Sequence, residues 1–198
     1  MARTPDLSRK PELVEQILEY LLDKPLSSVT FRSLATGLGV STFTLVYHFG
    51  TRADLIREVI QAISVRSGIV EGLNRDAEAT LETFVEGLEL SWEWSIQPRN
   101  RQLQRLEFEA GMLESLHPGD HGFMRDLYRH WVDIGRDAMI RFGMTPEDAE
   151  AEARVVVNSF HGLQYDLVLN DDVIAATRAF ERALEQHRSR IEHFVGRR

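Results

Sequence analysis

Hydrogen-bonding and basic side chains are concentrated between Lys24 and Arg52, a stretch that contains no aspartate or glutamate. Such side chains can bind phosphate oxygens and the edges of bases. The rest of the chain has the opposite balance, because residues 61–198 carry 16 arginines and 24 acidic residues and hence the whole net charge of −8. The sequence therefore predicts a locally basic module for an anionic partner, attached to an acidic body.

Other chemistries have little support in the sequence. Cysteine is absent, which excludes disulfides, thiolate metal sites and cysteine nucleophiles. There is no Ser-His-Asp signature, phosphate-binding loop or HExxH motif, so we expect neither enzymatic activity nor a cofactor. His117, Asp120 and His121 could suggest a metal site, but they lie in a predicted turn with no further ligand cluster nearby. Exposed loop histidines are commoner than metal ligands, and we expect no metal.

Helical periodicity is nearly continuous along the chain and strand-type alternation is scarce, which predicts an all-α fold of about nine helices. The first helix is expected over residues 11–23, ending before Pro25, and two short helices over 31–37 and 42–48. The later helices are expected at about 51–70, 77–97, 98–115, 121–142, 145–170 and 172–194. Thr51 with Asp54, and Thr145 with Pro146, are strong helix starts.

The two short helices are joined by a tight turn behind an amphipathic first helix, an arrangement typical of tri-helical DNA-binding domains. Thr30 and Ser41 are placed to cap the two helices, and Gly39 can adopt positive φ in the turn. Thr42, Thr44 and Tyr47 are expected to point outward, and the same segments could instead be ordinary core helices of an all-α protein. The predicted small core consists of Leu34, Ala35, Leu38, Val40 and Leu45.

These segments are similar to a known family of regulators. Residues 30–41, TFRSLATGLGVS, resemble the second helix and turn of the TetR family, and residues 42–55, TFTLVYHFGTRADL, resemble its recognition helix and the start of its fourth helix. The match rests on Leu-Gly-Val-Ser, Thr-Leu, His-Phe and a basic residue three positions after Phe49. It covers residues 12–57, and the remainder resembles the family in helical layout.

The resemblance implies specific roles in DNA binding. Arg32 lies where the family reaches a phosphate or a base, residues 42–44 occupy base-facing positions, and residues 47–48 lie where the DNA backbone is contacted. Arg52 replaces the usual phosphate-contacting lysine, and Val46 stands where the family usually has tyrosine. The predicted DNA-binding residues are Thr30, Arg32, Ser41, Thr42, Phe43, Thr44, Tyr47, His48 and Arg52.

Large apolar and aromatic side chains are frequent in the middle helices. An apolar cavity with a few polar groups would suit a small molecule, although any bundle of this size could fill the same volume with its own core. The resemblance implies that a ligand is sensed here. The predicted ligand-binding residues are Phe84, Leu88, Trp92, Phe108, Met112, Met124, Tyr128, Trp131, Phe160, His161 and Gln164.

The last two predicted helices carry stripes suited to helix packing. The ninth has apolar residues at alternating steps of four and three, and the eighth has a face with small residues at its centre. Both stripes could pack inside one monomer, whereas the resemblance implies that the two helices pair with their copies in a four-helix interface. The predicted dimer residues are Val155, Ser159, Gly162, Asp166, Thr177, Phe180, Leu184, His187 and Ile191.

The residues and the resemblance together predict a ligand-responsive transcriptional regulator. We expect a repressor that binds a palindromic operator in double-stranded DNA as a homodimer and is released by a small apolar or amphipathic effector. Residues 1–52 would form the DNA-binding domain and 53–198 the sensing and dimerisation domain. The alternative is a helical dimeric interaction protein with a degenerate DNA-binding surface, of which Val46 would be the sign. No membrane span or signal-peptide core is evident, so a cytoplasmic location is expected.

Overall fold

The computed structural model of the protein describes residues 9–66, 80–116 and 122–195, and this part of the chain contains nine α-helices and no strand. The prediction of an all-α fold is confirmed. A short 3-10 turn, Leu26–Ser28, connects the first two helices. The helices are α1 (Arg9–Leu21), α2 (Phe31–Leu38), α3 (Thr42–Phe49), α4 (Arg52–Arg66), α5 (Leu81–Ser95), α6 (Pro98–Leu116), α7 (Phe123–Arg141), α8 (Pro146–Asn170) and α9 (Val173–Val195).

The first helix ends two residues earlier than predicted. The chain tightens after Leu21, where the amide of Lys24 donates to the Leu21 carbonyl at 3.1 Å, so the last turn is not α-helical. Residues 67–70 and 77–79, predicted to be helical, lie outside the described residues. The same holds for the turn with His117, Asp120 and His121.

Local hydrogen bonds begin the longer helices where the sequence predicts. The Thr51 hydroxyl accepts from the Asp54 amide at 3.1 Å, while the Asp54 carboxylate accepts from the Thr51 amide at 3.2 Å. At the start of α8 the Thr145 hydroxyl accepts from the Asp148 amide at 3.2 Å, and Pro146 follows as the first helical residue. Both arrangements satisfy amides that would otherwise have no partner.

The first hydrophobic core combines α1 to α4 with α6. Residues of α6 lie in the same buried cluster as those of the three N-terminal helices, so this core does not stop at residue 52. Each helix contributes the apolar face that its period of 3.6 residues predicts. The cluster includes Leu13, Ile17, Leu18, Leu21, Leu34, Leu45, Phe49, Leu55, Ile60, Ile63, Leu103 and Leu106.

The second core lies between α5, α7, α8 and α9. At its centre the indole of Trp92 stacks on Phe180, with ring centroids 4.7 Å apart and planes at 4°, and it meets Phe160 edge-on at 6.1 Å. The Trp92 indole nitrogen donates to the Thr177 hydroxyl at 3.1 Å. This contact joins α5 to α9 and satisfies the one polar atom of the buried indole.

Helix α8 is the central element, because it packs against α6, α7 and α9. Its approach to α7 is close at Gly135, where a Cβ would lie 3.3 Å from the Cβ of Ala153. A buried hydrogen-bond network links α5, α6 and α8, since Gln104 and Gln164 both donate to the Ser95 hydroxyl, at 2.8 and 3.0 Å. These polar contacts fix the register of the three helices.

Candidate nucleic-acid interface and ligand cleft

Caps on both short helices position the helix-turn-helix. The Thr30 hydroxyl accepts from the Ser33 amide, and the Ser33 hydroxyl accepts from the Thr30 amide, each at 3.0 Å. The Ser41 hydroxyl accepts from the Thr44 amide at 3.0 Å. Gly39 has φ of +67°, a left-handed conformation that favours glycine. The predicted caps and the predicted positive φ are confirmed.

The outer face of α3 is exposed and aromatic. Phe43 is 78% exposed and Tyr47 is 49% exposed, and their rings stack with centroids 6.3 Å apart. Thr42 is also exposed, and Val46 is 45% exposed beside these rings. The opposite face is buried through Leu45 and Phe49. An amphipathic helix of eight residues therefore presents a face for contact with another molecule.

Two predicted contact residues are less exposed than this face. Thr44 is half-buried, and its hydroxyl lies 2.8 Å from that of Ser41 at the cap, so its contact with a base stays a prediction. His48 is half-buried and meets the edge of the Tyr47 ring with centroids 5.1 Å apart. The predicted core is confirmed, with Leu34, Ala35 and Leu45 buried, and Leu38 and Val40 partly buried against them.

The two arginines of this module have different surroundings. Arg32 is exposed at the start of α2. Arg52 instead binds the connector between α1 and α2, because its guanidinium donates to the carbonyls of Val29 at 2.8 Å and Leu26 at 3.0 Å. Arg52 thus fixes the start of α4 against the helix-turn-helix, a structural role that the sequence did not indicate.

Helix α6 also contacts this connector. The Arg105 guanidinium donates to the carbonyls of Leu21 at 2.9 Å and Lys24 at 3.2 Å, and so caps the C-terminal end of α1. Glu109, which forms an ion pair with Arg105, accepts a hydrogen bond from the Leu26 amide. We call Arg105 and Glu109 the α6 clamp.

The other face of α6 lines a cleft of about 340 Å³ between α6, α7 and α8. A smaller apolar cavity of about 40 Å³ lies deeper, between α5, α7 and α8. Trp131 and His161 line both spaces and so separate the outer cleft from the inner cavity. The outer cleft is lined by Glu107, Phe108, Gly111, Met112, Glu114, Ser115, Met124, Arg125, Tyr128, Trp131 and His161.

Three polar groups in the outer cleft are unusual. The indole nitrogen of Trp131 is buried without a hydrogen-bond partner among the described residues. Burial lowers the pKa of His161 to about 4, and its Nδ1 lies 3.0 Å from the Val157 carbonyl. A carbonyl can only accept, so Nδ1 carries the proton and Nε2 is the acceptor of a neutral ring. Burial raises the pKa of Glu107 to about 7, because the charged carboxylate is poorly solvated there.

Solved structures with the same arrangement of helices cover nearly the whole chain. No family model and no curated protein sequence matches it. A transcriptional regulator from Rhodococcus sp. Rha1 is 14% identical with a TM-score of 0.73, covering 92% of this chain and 95% of its own. A point variant of TetR from Acinetobacter baumannii AYE, in complex with minocycline, is 17% identical with a TM-score of 0.63, covering 94% and 97%. The chain has the TetR fold.

A third structure of this fold was solved with nucleic acid. BioQ with its double-stranded DNA operator is 19% identical to this chain with a TM-score of 0.59, covering 92% of this chain and 96% of its own. At these identities the likeness establishes the fold and leaves the roles of individual side chains to their own geometry. The TetR fold therefore agrees with the resemblance in the sequence of residues 12–57.

Within this TetR fold, the predicted ligand residues fall into three groups. Phe108, Met124, Tyr128, Trp131 and His161 line the outer cleft, together with Met112, which lies at its rim and is 67% exposed. The inner cavity is lined by Phe84, Leu88 and Phe160, as well as by Trp131 and His161.

The third group, Trp92 and Gln164, lines neither space. Trp92 is packed between Phe160 and Phe180, and Gln164 is bound to Ser95 in the buried network. Trp92 instead lines a separate cleft of about 620 Å³ between α5 and α9, and a ligand contact by Trp92 or Gln164 stays a prediction. Sequence reasoning also missed Glu107, which gives no signal in an amphipathic pattern beyond its position next to Phe108.

The predicted dimer residues divide between surface and interior. On α8, Val155, Gly162 and Asp166 are exposed and Ser159 is half-buried. On α9 the predicted seam is used inside the protomer: Thr177 is half-buried against Trp92, and the rest of the seam is buried. Phe180, Leu184, His187 and Ile191 are buried within the single chain, and their contact with a second copy stays a prediction.

The buried seam has a polar anchor of its own. Glu152 on α8 accepts from Arg190 at 2.7 Å, and its carboxylate lies 3.2 Å from Nδ1 of His187. The pKa of Glu152 is lowered; burial opposes the lowering and the hydrogen bonds from His187 and Arg190 outweigh it. The network ties α9 to α8 within one chain and leaves the other faces of both helices exposed.

No helix in the described part of the chain has the length and apolarity to cross a membrane.

Proposed function

We propose that the protein is a ligand-responsive transcriptional regulator, a repressor that binds a palindromic operator as a homodimer. The observation that carries the proposal is the double contact of α6. One face of this helix clamps the C-terminal end of α1 through Arg105, and the other lines the cleft through Glu107 and Phe108. A molecule in the cleft therefore touches the helix that holds the DNA-binding module.

The surface of α3 supports DNA binding. Thr42, Phe43 and Tyr47 are exposed on a helix that is capped at its start and braced by α2, and no acidic residue lies between residues 24 and 52. A major groove admits a helix of this kind, and a hydroxyl or aromatic side chain can reach base edges or phosphates from it. Arg32 would add a phosphate contact, whereas Arg52 acts first by positioning α4. Residues 1–52 then make the DNA contacts, although their core continues into α4 and α6.

Release by an effector follows from the geometry of the clamp. If the occupied cleft favours a different position of α6, the end of α1 and the connector move with it, and the two recognition helices of a dimer change their spacing. An effector shifts this equilibrium only by its difference in affinity for the two positions. Met124 offers a second connection between the effector site and the DNA-binding module. It lines the ligand cleft and also a cleft of about 210 Å³ that is lined by Ile56 and Ile60 of α4.

The homodimer is proposed to form on the exposed face of α8. Val155, Gly162 and Asp166 recur there at helical spacing, and Leu169 continues the face with 62% of its surface exposed. Ile174 at the start of α9 is also exposed, at 76%. A symmetric interface on these residues replaces the buried α9 seam as the surface of contact. A regulator of this kind would act by binding rather than catalysis, in the cytoplasm.

Selection of DNA by the purified protein tests the proposal. The full chain is incubated with a library of random duplexes, bound DNA is sequenced, and the enriched sequence is assayed at several salt concentrations. Enrichment of a palindrome with two half-sites about one helical turn apart is expected, because two recognition helices of a dimer reach successive major grooves. Binding that shows no sequence enrichment would contradict the proposal.

The alternative of a helical interaction protein is favoured by one observation. Phe43 and Val46 are exposed apolar side chains on the face that would enter the groove. Such a face can also bind another protein. The same selection separates the two functions, since an interaction protein with a degenerate surface enriches no palindrome.

A further inference from the structure

We propose that the cleft between α6, α7 and α8 binds a protonated organic amine with an aromatic or apolar body. This inference rests on the proposed function in so far as the cleft is the effector site. It names the class of the effector, which the TetR fold does not determine. The observations that carry it are the ring-lined walls, the carboxyl group of Glu107 and the indole nitrogen of Trp131, which is buried without a partner in the described part of the chain.

The walls of the cleft are aromatic and centred on His161. The ring centroid of His161 lies 4.7 Å from that of Trp131, 6.2 Å from that of Tyr128 and 6.4 Å from that of Phe108. Phe108 also meets Tyr165 edge-on at 5.5 Å. Rings arranged in this way pack against a flat apolar body, and their faces attract a cation.

Glu107 supplies the charge that an ammonium group requires. It has no ion-pair or hydrogen-bond partner among the described residues, although it lines the cleft. The other ionisable groups of the lining do not compensate it. Glu114 accepts from the Met124 amide at 2.7 Å and the Arg125 amide at 3.1 Å, and so caps α7. Arg125, which also lines the cleft, is exposed.

The remaining polar groups agree with the same ligand. His161 is neutral, because burial lowers its pKa to about 4, and its Nε2 can accept a hydrogen bond from an ammonium group. The Tyr128 hydroxyl donates to Asn158 at 2.9 Å. The Trp131 indole nitrogen can donate to an ether, hydroxyl or carbonyl oxygen on the ligand body. An anionic ligand would instead add a second negative charge beside Glu107 in a poorly solvated site.

Calorimetric titration with three probes on one ring system tests the assignment. The probes are 1-naphthylmethylamine as the cation, 1-naphthylmethanol as the neutral molecule and 1-naphthoate as the anion. At pH 8 we expect the amine to bind at least roughly tenfold more tightly than the alcohol, and the anion most weakly, because only the amine pairs with a carboxylate. Glu107→Gln should bring the amine and the alcohol within about threefold of each other. Glu86→Gln, a change at an exposed glutamate on α5, should leave the preference unchanged.

A pH series on the unaltered protein gives a second test that does not depend on a variant. Since burial raises the pKa of Glu107 to about 7, this carboxyl is largely protonated at pH 6, and binding of the amine should expel a proton. The affinity should therefore rise by up to roughly tenfold per pH unit between pH 5 and 7 and then level off. The measured heat should depend on the ionisation enthalpy of the buffer at pH 6 and much less at pH 8.

Three outcomes would overturn the inference: equal affinities for amine and alcohol, binding of none of the probes, or an amine affinity that is independent of pH. Each leaves the DNA selection untouched, so the regulator proposal can stand without it. Conversely, a protein that prefers the amine but enriches no palindrome supports the cleft assignment and contradicts the regulator. The experiments can therefore contradict either proposal without contradicting the other.

Discussion

The guanidinium of Arg105 on α6 donates a 2.9 Å hydrogen bond to the carbonyl oxygen of Leu21, the last residue of α1. It also reaches the carbonyl of Lys24, and Glu109 beside it accepts from the Leu26 amide. A cation at the C-terminal end of a helix satisfies carbonyls that have no partner within that helix. The N-terminal helices are therefore held by a residue that lies 84 positions beyond Leu21 in the chain.

Removal of this guanidinium should destabilise the protein and weaken its response to an effector. Arg105→Met keeps much of the apolar stem but leaves the α1 carbonyls without the charged donor. We expect the free energy of unfolding to fall by about 1.5–3 kcal/mol, the usual range for hydrogen bonds to a charged group. Urea denaturation followed by circular dichroism measures the change.

The control for this variant lies on the same helix. Arg99 joins α6 to α1 through an exposed ion pair with Glu19. Arg99→Met should cost less than about 1 kcal/mol, because exposed ion pairs contribute little. A similar loss of stability in both variants would show that the carbonyl contacts of Arg105 stabilise the protein no more than an exposed ion pair does.

Thr42 is expected to contact bases of the operator and so to contribute to sequence specificity. Its side chain is exposed at the start of α3, whereas the Thr44 hydroxyl is held by the cap. Thr42→Ala should weaken binding to the selected operator by roughly tenfold and leave binding to a random duplex nearly unchanged. Thr36→Ala, on α2, is the matched control, since that hydroxyl bonds to the Arg32 carbonyl. Equal losses on operator and random DNA would exclude a reading role for Thr42.

Two groups in the ligand cleft should influence stability with opposite dependence on pH. Burial raises the pKa of Glu107 to about 7. Its contribution to the free energy of unfolding is therefore fully present below about pH 4.5, where the carboxyl is protonated, and is lost as the pH rises to 7. Burial lowers the pKa of His161 to about 4. Its contribution to the free energy of unfolding is therefore fully present above about pH 6.5, where the ring is neutral, and is lost as the pH falls to 4. The two effects oppose each other between pH 4.5 and 6.5.

Single variants should separate these effects. With Glu107→Gln the free energy of unfolding should rise from pH 4.5 to 6.5, and with His161→Gln it should fall over the same range, relative to the unaltered protein. Each slope is at most about 1.4 kcal/mol per pH unit, and partial exposure of both side chains reduces it. Denaturation series at several pH values across this range measure both slopes. If the free energies of unfolding of the two variants changed in parallel with pH, neither side chain would be desolvated as described.

A charge on the exposed face of α8 should prevent dimerisation. Leu169→Asp places a carboxylate at a symmetric interface, where both copies would bury it without a partner. Light scattering at micromolar concentration should then give the mass of one chain, 22.7 kDa, in place of twice that value. Leu90→Asp on α5 introduces the same group at a side chain that is 65% exposed, outside the proposed interface, and should leave the dimer intact. Dissociation by both variants, or by neither, would reject this surface.

The candidate site was predictable in part. The amphipathic pattern of α3 indicates which side of the helix is exposed, and Phe43, Tyr47 and Thr42 are found there. The pattern cannot show that the Thr44 hydroxyl turns towards the Ser41 hydroxyl or that Arg52 binds backbone carbonyls. Those contacts depend on groups whose positions are set by the turn and by the packing of α4.

The helices, their caps and the tight turn could be predicted from the sequence, because they depend on hydrogen bonds and side-chain preferences within a few residues. Thr30 with Ser33, Thr51 with Asp54 and the left-handed Gly39 follow from that local chemistry. Which helix each apolar stripe packs against depends instead on the folding of distant segments. The stripe on α9 has a period that suits a second chain or its own chain equally well, and contact with Trp92 and α8 buries it inside the protomer. The clamp of Arg105 and the unpaired carboxyl of Glu107 are likewise properties of packing within the described part of the chain, since distant segments supply their surroundings.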